Sequence, residues 1–247
     1  MNNQISIGSW ITLGHFSIAE IMAKAGFDWL CVDMEHSVID YYEAEYLIAT
    51  IDSNNCVPYV RVGGNDPINI KRVLDAGAKG IIVPMINNRE DAIKAVNAVK
   101  YPPIGTRGVG LARAQGYGFE FDEYVQKVND EIIIIAQIEH KDAIDNLENI
   151  LSIDGINGTI IGPYDLSGSM GKPGMFDDED VKEILQAYEK ISKEMNKSMG
   201  YHVIEPDYNL VMEKIEAGYT FIAFSLDTLF LGTICRDQMT QLKKSLS

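Results

Sequence analysis

Eight short apolar runs, each followed by a longer amphipathic stretch, leave this chain few folds to choose from. That alternation is the pattern of repeated βα units. Strands are expected at Ser6–Ile11, Asp28–Asp33, Pro58–Val62, Gly80–Pro84, Ile132–Glu139, Gly158–Gly162, Ser198–His202 and Thr220–Ser225. The fifth, IIIIAQIE, holds four consecutive isoleucines suited to a strand buried on both faces, then breaks into Gln137 and Glu139.

Helices are expected at 17–25, 41–53, 67–76, 88–99, 141–151, 178–195, 207–217 and 229–246, with Ser17, Asp66 and Asp207 as caps or first-turn acids. The segments AGF, AGA and AGY, beginning at Ala25, Ala76 and Ala217, place a glycine where a helix must stop before the next strand. Eight such units in 247 residues fit one closed (β/α)8 TIM barrel spanning 1–247. No GxGxxG follows the first strand and no phosphate-binding Walker loop occurs, so an open nucleotide-binding sheet is disfavoured. The connection from Tyr101 to Asp130 is too long and glycine-rich for a simple turn. With Arg107 and Arg113 inside it, it is expected to be a lid or a subunit contact.

Composition narrows the partners. A formal net charge of −15 argues against nucleic acid or an anionic membrane surface. No apolar run reaches the ~20 residues of a membrane span. The start, MNNQISIGSW, lacks the features of a secretory signal, and the three cysteines show no paired spacing, so a cytoplasmic protein without disulfides is expected.

A barrel of this kind places its chemistry at the carboxyl ends of the strands. Polar residues gather there: Asp33, Glu35 and His36 after strand two, Arg61 on strand three, Gln137 and Glu139 on strand five, Asp165 after strand six, His202 on strand seven and Asp227 after strand eight. Glu139 and Asp165 are hard oxygen donors suited to Mg2+ or Mn2+, with helix capping or pairing with cations as the alternative role. Asp33 stands three residues before His36, close enough to orient its imidazole as a base, although a strand-end histidine can also be structural. Arg61 could hold a carboxylate or an enolate oxygen, or only neutralise its acidic neighbours. The turn Gly162–Pro163–Tyr164–Asp165 offers amides to an anion at a helix start.

Taken in order, GFDWLCVDMEHS, VPYVRVGGNDP, LDAGAKGIIVPM, YPPIGTRGVG, QIEHKDAIDNLENI and IIGPYDLSGSMG resemble the metal-dependent pyruvate aldolases typified by 4-hydroxy-2-oxo-heptanedioate aldolase and 2-dehydro-3-deoxyglucarate aldolase. The resemblance runs from Gly8 to about Asp227. It implies a barrel of the phosphoenolpyruvate/pyruvate superfamily, often a hexamer whose last helix is exchanged between subunits, and a divalent cofactor, Mg2+ or Mn2+ first and Co2+ as a further option. It also implies Glu139 and Asp165 as metal ligands, His36 as base with Asp33 orienting it, and Arg61 as the partner of the pyruvate enolate. Gln137 and the turn at Gly162 and Pro163 would contact pyruvate, and Asp75 would reach a neighbouring subunit's site. The aldehyde side is expected from the Arg113–Tyr117 region and the loop after strand eight.

Two positions depart from the family pattern: Gly63-Gly64 stand where proline is common, and His140 where threonine is common. The expected reaction is reversible cleavage of a 4-hydroxy-2-oxo acid to pyruvate and an aldehyde. Competing readings are a citryl- or malyl-thioester lyase and a barrel that binds a keto acid without turnover.

Overall fold

The computed structural model describes residues 4–246, so 1–3 and 247 of the expected single domain lie outside the described residues. Eight strands close into a parallel barrel in chain order, β8 returning to β1: β1 (Ser6–Ile11), β2 (Trp29–Asp33), β3 (Val57–Arg61), β4 (Gly80–Val83), β5 (Ile133–Ile138), β6 (Gly158–Ile161), β7 (Ser198–Val203) and β8 (Phe221–Leu226). The helices are α1 (Phe16–Ala23), α2 (Tyr41–Ser53), α3 (Pro67–Asp75), α4 (Arg89–Val99), α5 (Phe121–Glu131), α6 (Lys141–Asp145), α7 (Leu147–Leu151), α8 (Pro163–Ser169), α9 (Glu179–Glu194), α10 (Tyr208–Glu216) and α11 (Asp227–Leu246). The expected barrel is the observed one.

Local chemistry explains most boundaries. Asp66 accepts from the Ile68 and Asn69 amides with Pro67 opening α3, and Asp207 caps α10 in the same way. Asp40 and Glu43 close a reciprocal capping box on α2. Ser17 does not cap α1; the His15 side chain does, accepting from the Ser17 amide. The glycines of the three Ala-Gly breaks have φ of 99°, 107° and 99° at Gly26, Gly77 and Gly218, a left-handed turn that a Cβ would strain.

Three stretches differ from the sequence expectation. The helix expected over 141–151 breaks at Asn146, which ends α6 with φ −105° and ψ 7°. The connection after α4 contains a short 3-10 segment, Arg113–Gly118, and then α5. A further helix, α8, follows β6 directly.

The interior is filled in two shells. Ile, Leu, Val and Ala side chains pack between strands and outer helices, while Trp10, Trp29, Cys31, Tyr59, Ile82, Ile135, Ile160, Phe221 and Ala223 fill the barrel itself. The Trp29 ring stacks on Phe221 at 4.4 Å and on Tyr59 at 5.4 Å. Such volume fits because inward positions opposite these rings are glycine. A Cβ on Gly8 would lie 2.0 Å from the Trp29 ring, and one on Gly80 2.1 Å from Tyr59. Each large side chain so buried contributes on the order of 1.5–3 kcal/mol.

Candidate active site

Two residues further along the same inward-facing rows the interior turns polar. Asp33 follows Cys31 on β2, Arg61 follows Tyr59 on β3, Gln137 follows Ile135 on β5, and His202 follows Gly200 on β7. Their period of two puts all of them inside the barrel at its carboxyl end.

Arg61 is the hub. Asp33 and Arg61 are direct register partners on neighbouring strands, and the guanidinium donates to both carboxylate oxygens, Nε to Oδ1 at 2.9 Å and Nη2 to Oδ2 at 2.7 Å. Its Nε also lies 3.3 Å from Glu35 Oε2, its Nη1 reaches Gln137 Oε1 at 3.4 Å, and its face covers the Trp10 ring at 4.3 Å. Burial alone would raise the Asp33 carboxyl, but the hydrogen bonds and charge of Arg61 outweigh it and hold Asp33 below its ordinary value.

Asp33 therefore does not orient the His36 imidazole as the spacing suggested. Its Oδ1 accepts the backbone N–H groups of Glu35 and His36 at 3.1 and 3.2 Å, so it shapes the loop that carries His36. The acid near the imidazole is Glu35, whose Oε2 is 3.6 Å from His36 Nε2. Spacing along one strand end could not reveal that Arg61, on the adjacent strand, already occupies Asp33.

Glu139 follows β5 and is only 6% exposed. Gln137 Nε2 donates to its Oε2 at 2.6 Å and to Glu35 Oε2 at 3.3 Å, so one amide links the two acids. Asp165 lies in the first turn of α8, after Gly162 and Pro163, and no side chain caps that turn. A Cβ built on Gly162 would stand 3.5 Å from both Glu139 Cβ and Asp165 Oδ2, so the two acids flank one glycine. Burial above all, then the charges of Glu35 and Asp165, push Glu139 up to about 7 against the Gln137 hydrogen bond. Carboxylates crowded in this way suit a hard divalent cation, and two of them leave the other positions of an octahedral ion to water and substrate. Among the described residues no three His, Cys, Asp or Glu side chains form a metal cluster.

His36, Arg61, Gln137, Gly162, Pro163 and Asp165 all line one cavity of about 210 Å³. Tyr164 of the expected turn joins them, and so do Trp10, Ile160, Ile161 and Ile204, which the sequence does not point to, and His202, to which it assigns no role. An aromatic at the end of β1, two residues past the inward Gly8, was the available signal for Trp10.

Other expected positions lie elsewhere. Asp75 ends α3 at the opposite end of the barrel, bound by Arg107 Nη2 at 2.6 Å. Arg113 reaches the Ala76 carbonyl and Asp52 and, with Tyr59 and Lys79, borders a cavity of about 670 Å³ at the amino ends of the strands. The Arg113–Tyr117 segment thus does not line this chain's own site cavity. No loop follows β8 either, because α11 starts at once with Asp227. The Asp227 carboxylate accepts from the Thr12 and Leu13 amides, each at 2.8 Å, and from Thr12 Oγ1 at 2.6 Å, a structural clasp on the loop after β1.

Fold and site together define a (β/α)8 barrel with two crowded carboxylates and a fixed arginine at its carboxyl end. Residues 6–231 match the family model described as HpcH/HpaI aldolase/citrate lyase, and the chain belongs to that family. It is 38% identical over 93% of its length to a hydroxypyruvate/pyruvate aldolase of Sagittula stellata, covering 90% of that protein. It is 37% identical over 92% of its length to a 4-hydroxy-2-oxo-heptane-1,7-dioate aldolase of Escherichia coli, covering 86% of it. Among solved structures, an HpcH/HpaI aldolase/citrate lyase family protein from Burkholderia cenocepacia superposes with a TM-score of 0.92 at 32% identity, covering 98% of this chain and 95% of the other.

Proposed function

We propose that this chain is a metal-dependent aldolase that reversibly cleaves a 4-hydroxy-2-oxo acid to pyruvate and an aldehyde. The observation that carries the reading is that Glu139 and Asp165 flank Gly162 closely enough for the charge of Asp165 to raise Glu139, beside the Asp33-fixed guanidinium of Arg61, in a barrel of this family. Aldolase activity in the named relatives supports the reaction class.

Glu139 and Asp165 would hold the divalent ion, Mg2+ or Mn2+, which when bound supplies positive charge to oxygens of the keto acid. Gln137 fixes one Glu139 oxygen, Oε2, and leaves Oε1 without a hydrogen bond from another side chain among the described residues. Arg61, pinned through Nε and Nη2, has Nη1 as its least engaged nitrogen and presents it to the charge that develops on the pyruvate enolate oxygen. His36, at the open rim with 63% of its side chain exposed, takes the proton from the hydroxyl beside the scissile bond. Loss of that proton expels the aldehyde, and reprotonation of the enolate gives pyruvate. Gly162 and Pro163 wall the keto-acid end.

The assay is pyruvate release from a panel of 4-hydroxy-2-oxo acids by metal-loaded protein, with an EDTA control. Release is expected to require metal; release that persists after complete metal removal sinks the mechanism, and cleavage of a thioester alone would favour a lyase of the citryl type.

We also propose a homo-oligomer, a hexamer with α11 exchanged, in which Asp75 approaches a second copy's site. Supporting this, α11 runs for twenty residues with only Asp227 buried, leaving Leu231, Ile234, Met239 and Leu242 about half exposed. Light scattering on the intact chain should give a mass several times 27.5 kDa; a monomer would refute it. No helix among the described residues is long and apolar enough to cross a membrane, and the exposed free Cys235 suits the reducing cytoplasm we propose as its location.

A further inference from the structure

Two ring nitrogens of side chains in the cavity wall lack any hydrogen-bond partner among the described residues, and neither takes part in the reaction above. They are Trp10 Nε1 and His202 Nε2, and both are buried. Their rings meet edge to face, 5.6 Å between centroids. His202 also borders a second cavity of about 230 Å³, which shares Pro163, Tyr164 and Ile204 with the first. One imidazole thus belongs to the walls of both.

The state of that imidazole follows from its surroundings. The Ser225 backbone carbonyl accepts a hydrogen bond from the ring, and since Nε2 is the unpartnered nitrogen, Nδ1 is the donor. Burial first, and then the charge of Arg61, push His202 down to about 4, so the ring is neutral at neutral pH. With the proton on Nδ1, Nε2 is an acceptor, whereas the Trp10 indole N–H can only donate. An unpaired buried donor or acceptor is costly, so a matching group is expected when the cavity fills.

The two orphans ask for different things. A carbonyl or carboxylate could accept from Trp10 but would face the His202 lone pair, and an ammonium could satisfy His202 alone. A hydroxyl can donate to the one and accept from the other. We propose that His202, with Trp10, is a specificity-determining residue that recognises an alcohol on the reacting molecule, so that this cavity favours hydroxylated reactants over those carrying hydrogen or a carboxylate at the same place. The inference rests on the aldolase reading. The hydroxyl has two sources: the keto acid, as 3-hydroxypyruvate in place of pyruvate, or the aldehyde, as glycolaldehyde in place of acetaldehyde.

The test measures kcat/KM for addition by the Mn2+-loaded protein in two arms, hydroxypyruvate against pyruvate with acetaldehyde as acceptor, and glycolaldehyde against acetaldehyde with pyruvate as donor. His202→Phe should lower the hydroxyl-to-deoxy ratio about tenfold in the arm that holds the recognised alcohol, the size of one lost hydrogen bond. His202→Gln, whose amide can reach the Nε2 position, should retain part of the ratio. Should His202→Phe fail to fold by circular dichroism, Trp10→Phe must lower the same ratio. A ratio that moves less than about twofold in both arms in a folded variant overturns the proposal, as does a wild-type preference for the deoxy partner in both arms. Exchange of pyruvate methyl protons with D2O by the wild-type protein is followed in parallel by NMR. Absence of exchange defeats the aldolase reading itself, whereas exchange with unmoved ratios defeats the role of His202 alone; calorimetric affinities for hydroxypyruvate and pyruvate, compared between wild type and His202→Phe, read the donor arm without turnover.

Discussion

Along β2 and β3 the barrel interior passes from one regime to another within two residues: Trp29 and Tyr59 stack in the lower half, and Asp33 and Arg61 pair in the upper half on the same inward rows. The lower half is aromatic and tightly fitted, with Gly8 and Gly80 giving up their side chains to make room. In the upper half Asp33, Glu35 and Arg61 hold one another and Gln137 holds Glu139, and the cavity begins there. The difference shows how one set of strands can separate stability from chemistry. Dispersion and burial in the lower layer hold the strands in register, so the upper layer can carry crowded carboxylates that no core would otherwise tolerate.

The sharpest way to break this comparison is in the upper layer. His36→Ala should lower pyruvate release about a thousandfold, the usual worth of a positioned acid–base group, while metal and pyruvate still bind. Glu139→Ala should lose the metal itself, measured by calorimetry with Mn2+. Equal metal affinity in the two variants would contradict the division of roles. Neither change should move the urea midpoint as far as a lower-layer change does.

Trp29→Ala is that lower-layer counterpart. Its ring is fully buried between Tyr59 and Phe221, and deleting it should cost about 4 kcal/mol in urea unfolding, by lost transfer energy and the cavity left behind. Activity per folded molecule should persist at low temperature. If activity falls in step with His36→Ala instead, the two layers are not separable. Gly80→Ala tests the same layer from the other side: a methyl 2.1 Å from the Tyr59 ring overpacks a site whose neighbour is rigid, with an expected cost of about 3 kcal/mol. A neutral result there would mean that the barrel can shift its strands apart.

How much of this was legible in the residues follows the same division. All eight strands could be read because short apolar runs, most of them buried on both faces, alternate with longer amphipathic stretches, and the cap residues Asp66 and Asp207 declare their helices. Helix α5 escaped notice because a glycine-rich approach precedes its FDEYVQKVNDE segment, and α8 because Pro163 and Gly168 in seven residues leave no apolar period. In the site, strand-end positions found the acids, His36 and Arg61 by topology alone. Which of them touch was not readable, since the Asp33–Arg61 pair depends on strand register and the Glu35–Gln137–Glu139 link on side-chain directions across the barrel. His202 had no partner in sequence, and the structure gives its imidazole a single backbone acceptor.

That histidine supplies the smallest of the expected effects and the finest test of the two-layer picture. The folded state holds His202 near a pKa of about 4, below the ~6.5 of an unfolded chain. Between those values the unfolded chain binds the proton and the folded one does not, so stability falls as pH drops from about 6.5 toward 4 and this contribution levels off below. Allowing for relaxation of the cavity wall, the loss should be on the order of 2 kcal/mol. Asp33, held low by Arg61, acts in a separate window: its stabilisation is complete above its unfolded pKa near 3.9 and is lost only as pH falls below that through its folded value. Glu139, pushed up to about 7, acts in the opposite sense over the same range and is common to both proteins. On going from pH 7 to pH 4.5 the wild-type urea midpoint should therefore fall relative to that of His202→Phe, because phenylalanine keeps the ring against Trp10 and removes the proton site. Parallel pH dependence in the two proteins would mean that His202 is solvated in the upper layer, and the boundary between dry interior and open cavity would then lie below it, at the level of Cys31 and Ile82.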